Sequence, residues 1–230
     1  MSKDVAAAFL RARRPEQKQQ RYAAILDAAR ELAARDGVGA VSLAGIAAQV
    51  GMHKSALLKY FETREEIFLR LAETEWREWA AGATGALAAA GPAPRDVADA
   101  LTRSVAERPL FCQLLLHSPL TLERNVSIEV VRAFKQVIHD VLAEVRGALQ
   151  KALPALAPDA CTDLLVMSGL AAAGLWQAAH PPPQVAAVYA ERGGAECPDF
   201  TESLGRFVRV HLTGLLHESG VPDSGPRFCG

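Results

Sequence analysis

The residues whose types and spacing could do chemistry lie between Ser42 and Arg64, in the stretch S-L-A-G-I-A-A-Q-V-G-M-H-K-S-A-L-L-K-Y-F-E-T-R. Within it His53, Lys54, Ser55, Ala56 and Lys59 make a short run that no acid interrupts. Such a run suits contact with a polyanion. A Lys ammonium donates to guanine, a Ser hydroxyl pairs with several bases, and an Ala methyl meets the thymine methyl. Cations left over reach phosphates, which position a protein on a duplex without reading its sequence.

Two short helices crossing at a tight turn would hold that run outward. Ser42 has the side chain of an N-cap for the first. Ala47 is small enough for a close crossing, and Gly51, four residues on, supplies the positive φ that stops the helix. Ile46, Val50, Met52, Leu57 and Tyr60–Phe61 then fall on the inward face. A preceding helix from about Lys18 to Asp36 supplies the buttress, with Tyr22, Ile25, Leu26, Ala29, Leu32 and Ala33 on one face and Gly37 as its stop. Residues 18–62 therefore read as a three-helix, helix-turn-helix DNA-binding domain, its second short helix entering a major groove. Arg21 is either a phosphate contact or a solvated cation. Residues 1–17, which contain R-A-R-R-P-E, read as a flexible basic arm. That arm is either a solvated tail or a means for Arg11, Arg13 and Arg14 to reach phosphates or a minor groove.

The run I-A-A-Q-V-G-M-x-x-x-x-L-x-x-Y-F-x-T-R-E-E-I-F, after I-L-D-A-A-R-E-L-A-A-R-D-G-V-x-A-V-S-L, resembles the DNA-binding signature of the TetR-type transcriptional regulators over roughly residues 18–70. The resemblance implies base contacts from the start of the recognition helix and backbone contacts from Lys59, Tyr60 and Arg64. Tyr60 is open to a second reading, core packing with a wet hydroxyl. Two positions depart from the family pattern: His53 stands where Ser or Thr usually caps the recognition helix, and Leu58 where Tyr is frequent.

Composition bounds the rest. With 230 residues, half of them apolar and few β-branched or aromatic runs, the chain is expected to be all-α. Its net charge of −1 is unevenly spread: residues 1–60 carry ten Lys/Arg against five Asp/Glu, the remainder fifteen against twenty-one. A basic head on an acidic body places the polyanion at one end. Cys112, Cys161, Cys197 and Cys229 are scattered without a C-x-x-C pair, which favours reduced thiols over a disulfide framework or a metal site. The apolar run Val5–Leu10 is too short for a signal sequence, and Leu164–Ala179 falls short of a membrane span. A cytoplasmic protein with no membrane partner and no cofactor is expected.

Residues 63–220 read as a helical effector-binding and dimerisation domain, and 221–230 as a tail. Thr63 caps a long helix continuing to about Ala90, which G-P-A-P breaks. Further helices are expected at 95–107, 110–117, 127–153, 159–179 and 199–218, with a loose connection after H-P-P-P at 180–183. Residues 159–179 are apolar nearly all round, so burial on several sides is expected. Together with the last amphipathic helix they suggest a four-helix homodimer interface, which would pair two half-sites of an inverted-repeat DNA operator about 34–36 Å apart. The alternative is an intramolecular core.

In similar regulators a small molecule binds among the middle helices and moves the fourth. The residues expected around such a cavity are Trp79, Phe111, Cys112, Leu115, His117, Phe134, Ile138, Met167 and Trp176, each with ordinary core packing as the alternative. No hydrolase, metalloprotease or nucleotide-binding motif occurs. Cys112 and His117 are the nearest acid–base candidates, five residues apart and not on one helical face. The expectation is not an enzyme but a dimeric regulator, a repressor released by a mostly apolar effector. A regulator with no effector, or a helical small-molecule-binding protein or enzyme, is the alternative.

Overall fold

The computed structural model describes residues 3–191 and 197–219, with side chains for residues 16–191 and 197–218. Among the described residues all regular structure is helical: α1 (Lys3–Asp36), α2 (Leu43–Gln49), α3 (Lys54–Leu57), α4 (Arg64–Ala89), α5 (Pro94–Ala106), α6 (Pro109–Leu120), α7 (Ile128–Ala152), α8 (Pro158–Ala179), α9 (Pro183–Glu191) and α10 (Phe200–Ser219). Two 3₁₀ turns, Val38–Ala40 and Leu122–Arg124, join α1 to α2 and α6 to α7. The all-α expectation is met. The tail expected from 221, with Cys229, lies outside the described residues.

Several boundaries differ from the sequence reading, each for a local reason. The first helix begins at Lys3, not near Lys18, so the expected flexible arm is largely helical backbone. Ala, Leu, Lys and Arg dominate its early turns and all favour helix; Pro15 withholds one N–H without ending it. Pro119 sits inside the last turn of α6, which reaches Leu120. Pro158 opens α8, occupying the first turn where a missing N–H costs nothing. The connection after His180, expected to be loose, contains the nine-residue α9.

The chain divides into two compact units: Met1–Thr74 with His117–Phe134, and Glu75–Leu116 with Lys135–Gly230. The division falls inside α4, rather than at residue 62, and the first unit also takes in the end of α6 and the start of α7.

The first unit is built on α1, whose Ile25, Ala28, Ala29, Leu32 and Ala33 are buried at helical spacing. Val38, Val41, Ile46, Ala47, Leu57 and Phe61 are buried with them, and Tyr22 stacks on Phe61 with ring centroids 4.7 Å apart. α1 ends because Gly37 takes φ 83°, which favours glycine, while its N–H still bonds the Ala33 carbonyl at 2.9 Å.

The second unit has one apolar core, in which α10 packs on α5 and α8. Val97, Leu101 and Val105, then Leu164, Leu165 and Ala172, then Leu204, Val208 and Leu212 are its inward stripes. α8 is not buried on several sides as expected. Cys161, Leu164, Leu165, Ser168, Ala172 and Ala173 face inward, while Val166, Met167 and Leu170 stand in solvent.

Candidate nucleic-acid interface and effector cavity

The helix-turn-helix geometry follows from three local devices. The Ser42 hydroxyl accepts the Gly45 N–H at 3.0 Å and caps α2. α2 stops in a Schellman motif: Met52 N–H bonds the Ala47 carbonyl at 2.8 Å, Gly51 N–H bonds Ala48 at 3.0 Å, and Gly51 has φ 65°. α3 then starts on the His53 carbonyl, which accepts from Ala56 at 2.9 Å and Leu57 at 3.2 Å. His53 makes no side-chain cap bond, so its imidazole is left to the surface. Leu57 and Phe61 anchor α3 from below, both almost wholly buried.

This anchoring leaves His53, Lys54, Ser55 and Lys59 exposed on one short turn, with Ala56 and Tyr60 half-buried beside them. Exposed Leu58 adds an apolar contact to the same surface. Arg21 is exposed on α1, and Ser42 is exposed with its hydroxyl committed to the cap.

Arg64 is placed differently from the expectation of a phosphate contact. Its guanidinium donates through Nε to the Val41 carbonyl and through Nη2 to the Val38 carbonyl. Nη1 meets Glu65 at 3.2 Å, and the guanidinium carbon lies 4.6 Å from the Phe68 ring centroid. Arg64 therefore ties the start of α4 to the loop between α1 and α2. At the head of α4 the expected Thr63 cap is present: its hydroxyl accepts the Glu66 N–H at 3.1 Å, and the Glu66 carboxylate reaches back to the Glu62 N–H at 2.9 Å.

His117 belongs to this unit rather than to a cavity in the body. A Cβ added at Gly39 would meet its imidazole at 3.5 Å. Burial, and then the charge of Arg64, push the imidazole below its ordinary value.

The second unit holds a cavity with room of about 20 Å³, lined by Trp76 and Trp79 of α4, Leu101 and Val105 of α5, Phe111 and Leu115 of α6, Leu165, Ser168 and Gly169 of α8, and Leu204 and Val208 of α10. Trp79 and Phe111 are stacked, with centroids 5.6 Å apart and planes 20° apart; Trp76 stands edge-on to both. The Trp79 indole N–H donates to Ser104 at 3.1 Å. Arg108 pairs with Glu75 at 3.0 Å and with Glu78, the acids that precede the two tryptophans on α4.

Of the nine residues expected around a cavity, Trp79, Phe111 and Leu115 line this one. Cys112 is turned into the core, its thiol donating to the Val105 carbonyl at 3.6 Å, and burial raises it to about 12. It is no nucleophile at neutral pH, and its supposed partner His117 lies in the other unit. Phe134 is buried in the first unit, and Ile138 is half-buried on α7 outside the lining. Met167 faces solvent, and Trp176 stacks on His180 at 3.8 Å, meeting Phe200 edge-on at 5.1 Å. Sequence reasoning missed Trp76 and Ser168. Trp76 sits one turn from Trp79, and Ser168 interrupts an apolar helix; those were the available signals.

Exposed apolar side chains gather on α8 and α10. Leu170 is 62% and Val210 68% accessible, and both line a groove with Ala171, Gly174, Leu175 and Phe207. Among the described residues no group of three or more His, Cys, Asp or Glu could hold a metal ion, and no helix is long and apolar enough to cross a membrane.

A capped helix, a glycine stop and a second helix with its polar face outward define a helix-turn-helix protein. Two family models then match the chain: bacterial regulatory proteins of the tetR family over residues 25–71, and the tetracyclin repressor-like C-terminal domain over residues 73–219. The chain belongs to the TetR family of transcriptional regulators. No curated protein matches it in sequence. Among solved structures it is similar to the fatty acid degradation regulator FadR of Bacillus halodurans, at 15% identity and TM-score 0.56, covering 84% of this chain and 95% of that one. It is also similar to Thermus thermophilus FadR, a transcriptional repressor in complex with lauroyl-CoA, at 19% identity and TM-score 0.54, covering 91% and 100%. A third is RolR in complex with resorcinol, at 16% identity and TM-score 0.54, covering 90% and 97%. At these identities the likeness is one of fold.

Proposed function

We propose that this chain is a homodimeric repressor that binds an inverted-repeat operator and is released by a small, mostly apolar effector. The observation that carries the reading is the exposed turn His53–Lys59, acid-free and seated on buried Leu57 and Phe61. Lys54, Ser55 and Ala56 read base edges, while His53, Lys59, Tyr60 and Arg21 meet phosphates. The exposed apolar face of α8 and α10 supports the dimer, because a monomer gains nothing by presenting Leu170 and Val210 to water. The aromatic cavity supports the effector, its two tryptophans being carried by α4 and its Phe111 by α6. Release follows when the effector favours a recognition-helix spacing that no longer fits successive grooves, which requires different affinity for the two states. Nothing in the reading calls for catalysis.

The small room in the cavity favours a second reading, a regulator of the same DNA with no effector. Selection of bound sequences from a random duplex pool at near-physiological salt tests the DNA-binding core. An inverted repeat with half-sites about one turn apart supports it; no enrichment from folded protein overturns it. A rise in melting temperature with added ligand decides between the two readings.

A further inference from the structure

The cavity between α4, α5, α6, α8 and α10 has a chemical signature beyond being apolar. The hydroxyl of Ser168, a buried residue on its wall, has no hydrogen-bond partner among the described residues. A buried donor and acceptor left unpaired is costly and uncommon in native proteins. A ligand bearing one hydroxyl or carbonyl would satisfy it. The nearby polar groups are already engaged: the Thr102 hydroxyl donates to the Ala98 carbonyl at 2.7 Å, and Ser104 lies between the Trp79 N–H and the Leu101 carbonyl. Among the described residues no Lys, Arg, His, Asp or Glu lines the space.

The remaining walls select for shape. Trp79 and Phe111 stack on each other with centroids 5.6 Å apart, too close for a ring to enter between them, so a guest meets the pair from outside, and Trp76 closes the end edge-on to both. A wall of three aromatic side chains favours a flat aromatic ring over a flexible chain, because ring–ring contact adds to the burial of area. The present room of about 20 Å³ is near that of a single water. A larger guest must displace a wall, and Trp76 is the aromatic able to yield: it is half-buried, whereas Trp79 and Phe111 are 5% and 2% accessible.

We infer that the effector of this chain is a small, uncharged, single-ring aromatic compound carrying one hydrogen-bonding group, seated against Trp79 and Phe111 with that group on Ser168 and Trp76 as the gate. The inference rests on the effector reading above and narrows it. Long acyl carboxylates and acyl thioesters of nucleotide cofactors do not fit, since the lining offers no cation for their anionic ends.

The test uses the full-length protein and four probes: phenol, toluene, cyclohexanol and decanoate, with affinity read by calorimetry and tryptophan quenching. Phenol is expected to quench and to bind more tightly than cyclohexanol or decanoate. In Ser168→Ala, phenol affinity is expected to fall about tenfold while toluene affinity holds, so their ratio changes by that factor. Thermal melting of the unliganded variant checks the fold. An unchanged phenol-to-toluene ratio in Ser168→Ala overturns the role of Ser168. Equal or tighter binding of cyclohexanol or decanoate overturns the flat-ring class, and so does binding of no probe at millimolar concentration. Operator selection is scored separately. An operator bound without any probe binding removes this inference alone, and Ser168-dependent phenol binding without an operator removes the repressor reading alone.

Discussion

Replacing Arg64 with Met separates a fold clamp from a DNA contact. Met keeps an apolar stem near Phe68 and removes the guanidinium that bonds the Val38 and Val41 carbonyls. Hydrogen bonds to a charged donor contribute about 1.5–3 kcal/mol each, before water re-solvates the acceptors that the substitution frees. The Arg64 side chain is 18% accessible, so partial re-solvation is available, and a net loss of about 2–3 kcal/mol is expected. Urea unfolding followed by circular dichroism reads that loss as a lower midpoint with an unchanged slope. Operator affinity measured across a salt series reads the other possibility. If Arg64 only holds the α1–α2 loop to α4, the dependence of log affinity on log salt keeps its slope. Lys59→Ala is the opposite case: its slope becomes shallower by about one unit, and its unfolding midpoint stays in place. A stable Arg64→Met protein with a shallower salt slope would refute the clamp and return Arg64 to the phosphate backbone.

Three further perturbations have defined outcomes. Gly51→Ala places a side chain at φ 65° with open space around it, so backbone strain alone should destabilise the first unit by about 1 kcal/mol in urea unfolding. Leu170→Asp, at an exposed position, should leave the helical signal intact and convert the proposed dimer to monomer in light scattering; an unchanged mass would count against an interface on this face. His117 has its folded value pushed down by burial and by Arg64, so its contribution to stability is present above the ordinary histidine value near 6.5 and is lost as pH falls through the folded one. Stability should therefore decline on acidification from neutral pH, and His117→Gln should flatten that part of the profile in melting experiments.

Much of the first unit was legible because its determinants are short-range. The Ser42 cap, the Gly51 stop and the Thr63 cap act within four or five residues of chain, so spacing in the sequence translates directly into hydrogen bonds. The same holds for the outward run His53–Lys59, which follows once Leu57 and Phe61 are committed to the core. The start of α1 was misjudged because a proline and three arginines read as an arm, while their neighbours favour helix strongly enough to continue through it.

What the sequence by itself determined was the helical class, the position of the long helices apart from the first half of α1, and the local geometry of the helix-turn-helix, since hydrophobic period and capping chemistry are local properties. Tertiary structure alone decided which faces meet across distant segments. Arg64 finds its carbonyls 23 and 26 residues earlier in the chain. His117, two residues past Leu115 on the same helix, joins the first unit while Leu115 lines the cavity of the second. Ser168 reaches that cavity because α8 turns Leu165 and Ser168 inward and leaves Met167 and Leu170 in water. Helical periodicity marks a stripe of apolar residues, but only the packing of other helices decides which part of the stripe becomes core, cavity wall or exposed face.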